Sequence, residues 1–187
     1  PDEEIGTPSV RDLIEAEAAR AKAVLVPEPG RKDGGVTSGR YAIARFDLEA
    51  RGRPSHAGAR LSEGRSAIRE MARRILEIDA MTTEDCTFSV GVIHAGQWVN
   101  CVSSRAEAEA LSMAKRQHDL DRGVEAMLAL NDPGGESGVA FEVTRGVTRP
   151  VWEPDAGTHR LLAIAEEFHK AVGMNFRHES SGGGSDG

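Results

Sequence analysis

Polar and apolar residues alternate through 41–50, where Ala42, Ala44, Phe46 and Leu48 share one face. They alternate again through 87–93 (Phe88, Val90, Val92) and 138–144 (Val139, Phe141, Val143). Period-two patterning predicts half-buried strands, and 106–114 reads as a further strand between them. Helical spacing marks 66–78, with Ile68, Met71, Ala72, Ile75 and Leu76 on one stripe, and 120–130, with Leu120, Val124, Met127 and Leu128 aligned. The order is β-α-β-β-α-β, whose simplest closed solution is a four-stranded antiparallel sheet with two helices on one face, a ferredoxin-like α+β unit.

The flanks read differently. Residues 8–22 carry Val10, Leu13, Ile14, Ala18 and Ala21 at helical spacing after Pro8, the run 23–26 reads as a short buried strand, and 29–39 reads as a loop. A second flanking helix is expected at 161–172. These elements are too few to close a core, so the division predicted is 1–37, 38–150 and 151–187, with the middle block inserted into a partial α/β domain. The chain opens at Pro1 inside a motif and stops in a glycine run, and is read as a piece of a longer protein.

Composition narrows the classes. A net charge of −7 argues against a nucleic-acid partner held through phosphates, and the cluster Arg69, Arg73, Arg74 reads as a solvated helix face. Hydrophobic residues make up 39% and no apolar run reaches bilayer length, so a soluble chain without a membrane partner is expected. With aromatics at 4%, the core is expected to be mostly aliphatic. Cys86 and Cys101 lack metal or redox spacing and read as buried free thiols of a reducing compartment, which favours the cytoplasm, although the chain's start leaves a leader untested.

Six places carry candidate chemistry. Asp2-Glu3-Glu4 crowds carboxylates, which a cation would offset and which suits proton transfer; a helix N-terminus is the plainer explanation. Glu28 follows an apolar run between two prolines, where an α/β sheet forms sites and where an exposed loop glutamate is equally at home. His56 in GRPSHAG lies among small residues and can donate to an oxyanion, or simply sit in a turn. Asn100 closes GQWVN, either orienting a substrate or shaping a turn. Arg149 precedes Pro150 and can grip a carboxylate or mark a domain joint. Gly182, Gly183 and Gly184 form a loop open to an anion, or a linker.

In this order the segments DEEIG (2–6), GRPSHAG (52–58) and GGGSDG (182–187) resemble the glutamate carboxypeptidase, acetylornithine deacetylase and succinyl-diaminopimelate desuccinylase family of dinuclear-zinc hydrolases, along the whole chain. The resemblance implies a partial zinc-peptidase catalytic domain with an inserted dimerisation (lid) domain. It implies Glu3 as general base, Glu4 and Glu28 as metal ligands, and His56 acting in the partner subunit's site. It further implies that Asn100, Arg149 and Gly182–Gly184 meet substrate. Two zinc ions, or cobalt or manganese, a small peptide or N-acyl amino acid substrate and a homodimer follow from the same resemblance. Met113 stands where the glutamate-cleaving members carry arginine, which argues against a glutamate-type substrate. The family's His-x-Asp motif, bridging aspartate and late histidine are not in this sequence, so the chain alone is expected to be inactive. The competing expectations are a dimerisation module alone or a regulatory ferredoxin-like ligand-binding domain.

Overall fold

The computed structural model describes Glu3, residues 6–28 and residues 34–183. By contacts the chain divides into two compact units: Ile43–Thr148, and Pro1–Ala42 together with Arg149–Gly187.

The middle unit is built on strands β2 (Ala42–Arg51), β3 (Cys86–Ala95), β4 (Arg105–Ala114) and β5 (Ala140–Arg149), in the spatial order β3-β4-β2-β5. Helices α2 (Ala67–Ala80) and α3 (Gln117–Leu128) both lie against β3 and β4. This is the ferredoxin-like α+β arrangement, its strands ordered as in a split β-α-β sheet. Alternation fixes which face is covered: Ala42, Ala44, Phe46, Leu48 and Ala50 of β2 are buried, and on β4 so are Ala106, Ala108, Ala110, Ser112 and Ala114. The small side chains of β4 let the helices approach closely. A Cβ on Gly123 of α3 would lie 3.0 Å from the Phe88 ring and 3.1 Å from the Cys86 sulfur, so a larger residue there would force these neighbours to give way. The core is mostly aliphatic as composition suggested, with Phe46 and Phe141 among its largest fully buried side chains.

Helix α2 departs from its expected stripe. Ser66 caps it, its hydroxyl accepting from the Arg69 amide at 3.2 Å. The buried positions are Ala67, Glu70, Met71, Arg74 and Ile78, whereas Ile68, Ala72 and Leu76 are exposed. Arg74 is therefore not part of a solvated basic face: its side chain is 8% exposed and meets the 4% exposed Glu70 at 2.9 Å. Its guanidinium also reaches Asp132 at 3.3 Å and lies 5.0 Å from the Phe141 ring centroid. The helix presents a charged seam where the sheet edge meets the 132–141 turn, because Asp132 and Phe141 supply the partners that a buried arginine needs.

Strand β3 carries the second departure. It pairs antiparallel with β4, but the register slips between Val90 and Val92. Past the slip Val92 pairs with Glu109 and His94 with Glu107, so Val92 leaves the covered face and is 39% exposed. The helix-free face carries Asp47, Glu49, Glu107, Glu109 and Glu142, partly offset by Arg51 and Arg105, each of which bridges to Glu49. On α3, Leu128 is 38% exposed and Leu130, just past the helix, takes a buried place. Cys86 is buried as expected; Cys101 is exposed, because it lies in the β3–β4 connection and not on the covered face.

In the other unit, α1 spans Arg11–Arg20 and buries none of its residues. The run 23–26 forms no strand: Val24, Leu25 and Val26 are exposed, with no ladder partner among the described residues. Part of the expected 29–39 loop is strand β1 (Val36–Arg40), paired parallel with β6 (His178–Ser181), while 29–33 lie outside the described residues. Helix α4 (Ala156–Ala171) is capped by Asp155, which accepts from the Thr158 amide at 2.7 Å. On α4 the His169 ring has a carbonyl at each nitrogen, Ala165 at Nδ1 and Gly34 at Nε2, both at 2.8 Å. Only the imidazolium donates from both nitrogens, and these bonds, Gly34 first, raise its pKa above the ordinary value. Among the described residues no helix is long and apolar enough to cross a membrane.

The Glu70–Arg74 pair generates a stability prediction. Arg74→Ala, which removes a buried guanidinium from Glu70 and Asp132 while Arg73 still holds the Glu70 carboxylate, is expected to cost about 1.5–3 kcal/mol in urea unfolding. The Glu70 carboxyl is held below its ordinary value by hydrogen bonds from Arg73 and then Arg74. Its contribution is thus fully present above the unfolded-state value near 4.5 and is lost as pH falls through the lower folded value. Glu70→Gln should flatten that acid limb; an unchanged limb would show that Glu70 does not couple protonation to folding.

Candidate functional site

The candidate residues fall on both units. In the middle unit, the segment after β2 runs antiparallel to the segment after the β3–β4 turn. His56 forms an isolated bridge with Cys101, the Ala57 amide donates to the Asn100 carbonyl at 2.9 Å, and the Val102 amide donates to the Ser55 carbonyl at 2.9 Å. This short ladder brings His56 and Asn100, both exposed, to the same end of the sheet. Beside them Trp98 and Val99 are 69% and 102% exposed.

The turn that follows His56 sets its chemistry. Its Nδ1 accepts from two backbone amides, Gly58 and Ala59, each at 3.1 Å. A nitrogen that accepts carries no proton, so in the neutral ring the proton is on Nε2. Small residues at 57–59 allow the chain to curl back tightly enough for both bonds. The result is a fixed ring whose Nε2–H is a donor, the property an oxyanion contact requires.

In the other unit, Glu3 and Arg149 meet directly. Arg149 Nη1 donates to the Glu3 carboxylate at 2.9 Å, and Nη2 donates to the Glu3 carbonyl and, at 3.5 Å, to the Thr7 hydroxyl. Arg149 is 16% and Glu3 34% exposed on the side chain, so the pair is partly shielded from water. Thr7 is buried with φ 57°, an unfavourable conformation for a β-branched residue, and follows Gly6 at φ 94°. Arg149 and Thr7 line a cleft of about 410 Å³ with Arg11, Ile14 and Trp152. The arginine expected to meet a substrate carboxylate is thus engaged by a carboxylate of the chain itself.

The remaining candidates are less assembled. Glu28 is exposed, its amide donating to the Val26 carbonyl at 2.9 Å. Glu4 and Gly184 lie outside the described residues, while Gly182 and Gly183 follow β6. Among the described residues no three His, Cys, Asp or Glu side chains gather where one metal ion could be held. A single exposed glutamate does not make a zinc site, so the described residues do not by themselves fit a metal. Sequence reasoning found both ends of the Glu3–Arg149 pair but not the pair, since 146 residues separate them and nothing local signals the contact.

A ferredoxin-like sheet stands in sequence between two parts of another unit, with His56 and Asn100 at one end. The peptidase dimerisation domain family matches residues 38–137, and the chain belongs to that family. Carboxypeptidase G2 from Pseudomonas sp. (strain RS-16) is 31% identical over 192 residues, covering 99% of this chain and 46% of its own length. Aminopeptidase PepT from Bacillus cereus superposes with a TM-score of 0.80 at 24% identity, over 99% of this chain and 50% of that one. A tripeptidase from Staphylococcus aureus superposes with a TM-score of 0.75 at 25% identity, over 86% and 43%. The chain spans about half the length of these relatives.

The His56 geometry predicts its tautomer. In a long-range ¹H–¹⁵N spectrum at neutral pH, His56 Nδ1 should resonate as an unprotonated nitrogen and Nε2 as a protonated one. The reverse pattern would remove the ring from the donor role.

Proposed function

We propose that this chain is part of a metal-dependent amide hydrolase, of the carboxypeptidase or N-acyl-amino-acid amidohydrolase type, that works as a homodimer. The observation that carries this reading is the His56 ring held with Nε2–H as donor in a chain of the peptidase dimerisation family. Glu3 is the general base, accepting the proton of the attacking water and passing it to the leaving amine. His56 donates to the oxyanion in the partner subunit's site, and Asn100 orients the substrate from the same sheet end. Glu4 and Glu28 are a partial ligand set for two zinc ions, or cobalt or manganese, the other ligands coming from outside this sequence. Such metals, if held there with those further ligands, would supply a water acidic enough to react near neutral pH. Arg149 and Gly182–Gly184 line the pocket for a small peptide or N-acyl amino acid, Arg149 exchanging Glu3 for the substrate's carboxylate. On this reading the chain alone is inactive.

The full-length protein, assayed with zinc on alanyl dipeptides and N-acetyl amino acids, tests the chemistry. Glu3→Gln should lower kcat by about a hundredfold or more, the usual range for a lost general base. Near-normal turnover by that variant would end the assignment.

The second copy is argued from the lid. Ile68, Ala72 and Leu76 form an exposed apolar row on α2 beside the edge strand β3, where Val92 and Ile93 are also exposed. An open strand edge next to an apolar helix row suits an isologous contact. Light scattering on size-exclusion chromatography should show a dimer that Leu76→Asp converts to monomer; a wild-type monomer at all concentrations would remove this partner.

A further inference from the structure

The glycine-rich loop is held at its start by a residue with no role so far. Arg40 is the last residue of β1, in register with Ser181 at the end of β6. Its backbone is fixed on both sides. It exchanges two bonds of 3.0 Å with Trp152, and the next amide, Tyr41, donates to the Ser181 carbonyl at 3.1 Å. The strand comes this close only because residue 39 is glycine: a Cβ there would lie 2.5 Å from the Ser180 hydroxyl and 2.8 Å from the Trp152 carbonyl. Upstream, the buried Ser38 hydroxyl meets His178 Nδ1 at 3.0 Å.

From this anchored position the guanidinium crosses to the loop. Arg40 Nη1 donates to the Gly183 carbonyl at 3.1 Å. A Cβ on Gly183 would lie 3.0 Å from that nitrogen, so a larger residue at 183 would press on the guanidinium. Meanwhile Arg40 Nε is sealed from solvent and has no partner among the described residues. A buried donor without a partner costs stability. A side chain chosen only for stability would avoid that cost; one chosen to reach Gly183 accepts it.

We propose that Arg40 is a positioning residue that fixes Gly183 where the chain leaves β6, so that the backbone of Gly182 and Gly183 stands ready for substrate; the role toward substrate rests on the reading that these glycines line the pocket. Arg40 acts through the loop and does not itself touch substrate.

Two variants and one direct measurement test it. Arg40→Met keeps the stem and removes every donor; Arg40→Lys keeps the charge and one donor. Hydrogen exchange on this chain should rise about tenfold in the peptide covering 178–187 for Arg40→Met, as loss of one hydrogen bond in a local opening implies. It should rise less for Arg40→Lys and stay unchanged over β3 and β4. Equal exchange in wild type and Arg40→Met, or a rise spread over the whole chain, overturns the proposal. If Arg40→Met does not fold, the wild-type arginine decides the matter: its Hε should exchange slowly and its Nη rotation be hindered, and free rotation overturns the anchor. In the full-length protein, with the best of the dipeptides and N-acetyl amino acids above, Arg40→Met should raise KM about tenfold with kcat within about twofold, and Arg40→Lys should recover part of it. An unchanged KM beside a loosened loop overturns the substrate role while leaving Glu3 as base intact. Near-normal turnover by Glu3→Gln sinks the catalytic reading and leaves the exchange result standing.

Discussion

The lid unit depends on how thin its sheet is. Every inward position of β4 is alanine or serine, and β2 places alanine at three of its five. Alanine is a poor strand former on its own, so these positions are explained by what lies over them. Helices carrying Met71, Ile78, Leu120 and Met127 have to fit between the sheet and solvent, and only a low sheet surface admits them at close range. The charged seam of α2 follows from the same closeness. Only a narrow stripe of that helix touches the sheet, so its remaining apolar residues face outward and are free for another use.

This explains which parts could be read from residues alone. The strands of the middle unit were legible because alternation is local and one face of an antiparallel sheet is covered. The buried Arg74 was not, since its partners Asp132 and Phe141 lie far along the chain and an arginine among other arginines looks like a wet surface. Parallel pairing of β1 with β6 was equally hidden: the strands are short, polar and separated by the whole lid. Val24–Val26 shows the opposite error. Its composition is that of a strand, but a strand needs a neighbour, and the described residues offer none.

For the site, residue types were legible and their company was not. His56 was named for its accessibility; what makes it a donor is the pair of amides two and three residues on, a detail of turn geometry. Arg149 and Glu3 were assigned separate tasks, and their direct bond links the two tasks. In its free state the arginine satisfies the carboxylate and also steadies a strained threonine next to it. On the proposed reading, an incoming carboxylate competes with an internal one, which would couple recognition to the readiness of Glu3 through a single guanidinium.

The slipped register in β3 has a consequence for association. A sheet edge of ten regular residues would accept any extended strand along its full length, including strands of misfolded neighbours. With the ladder broken in the middle, an added strand matches one half of the edge and is out of phase on the other. In the proposed homodimer, an identical copy related by a twofold axis would bring the same irregularity to this edge. The defect thus filters which chains this edge will admit.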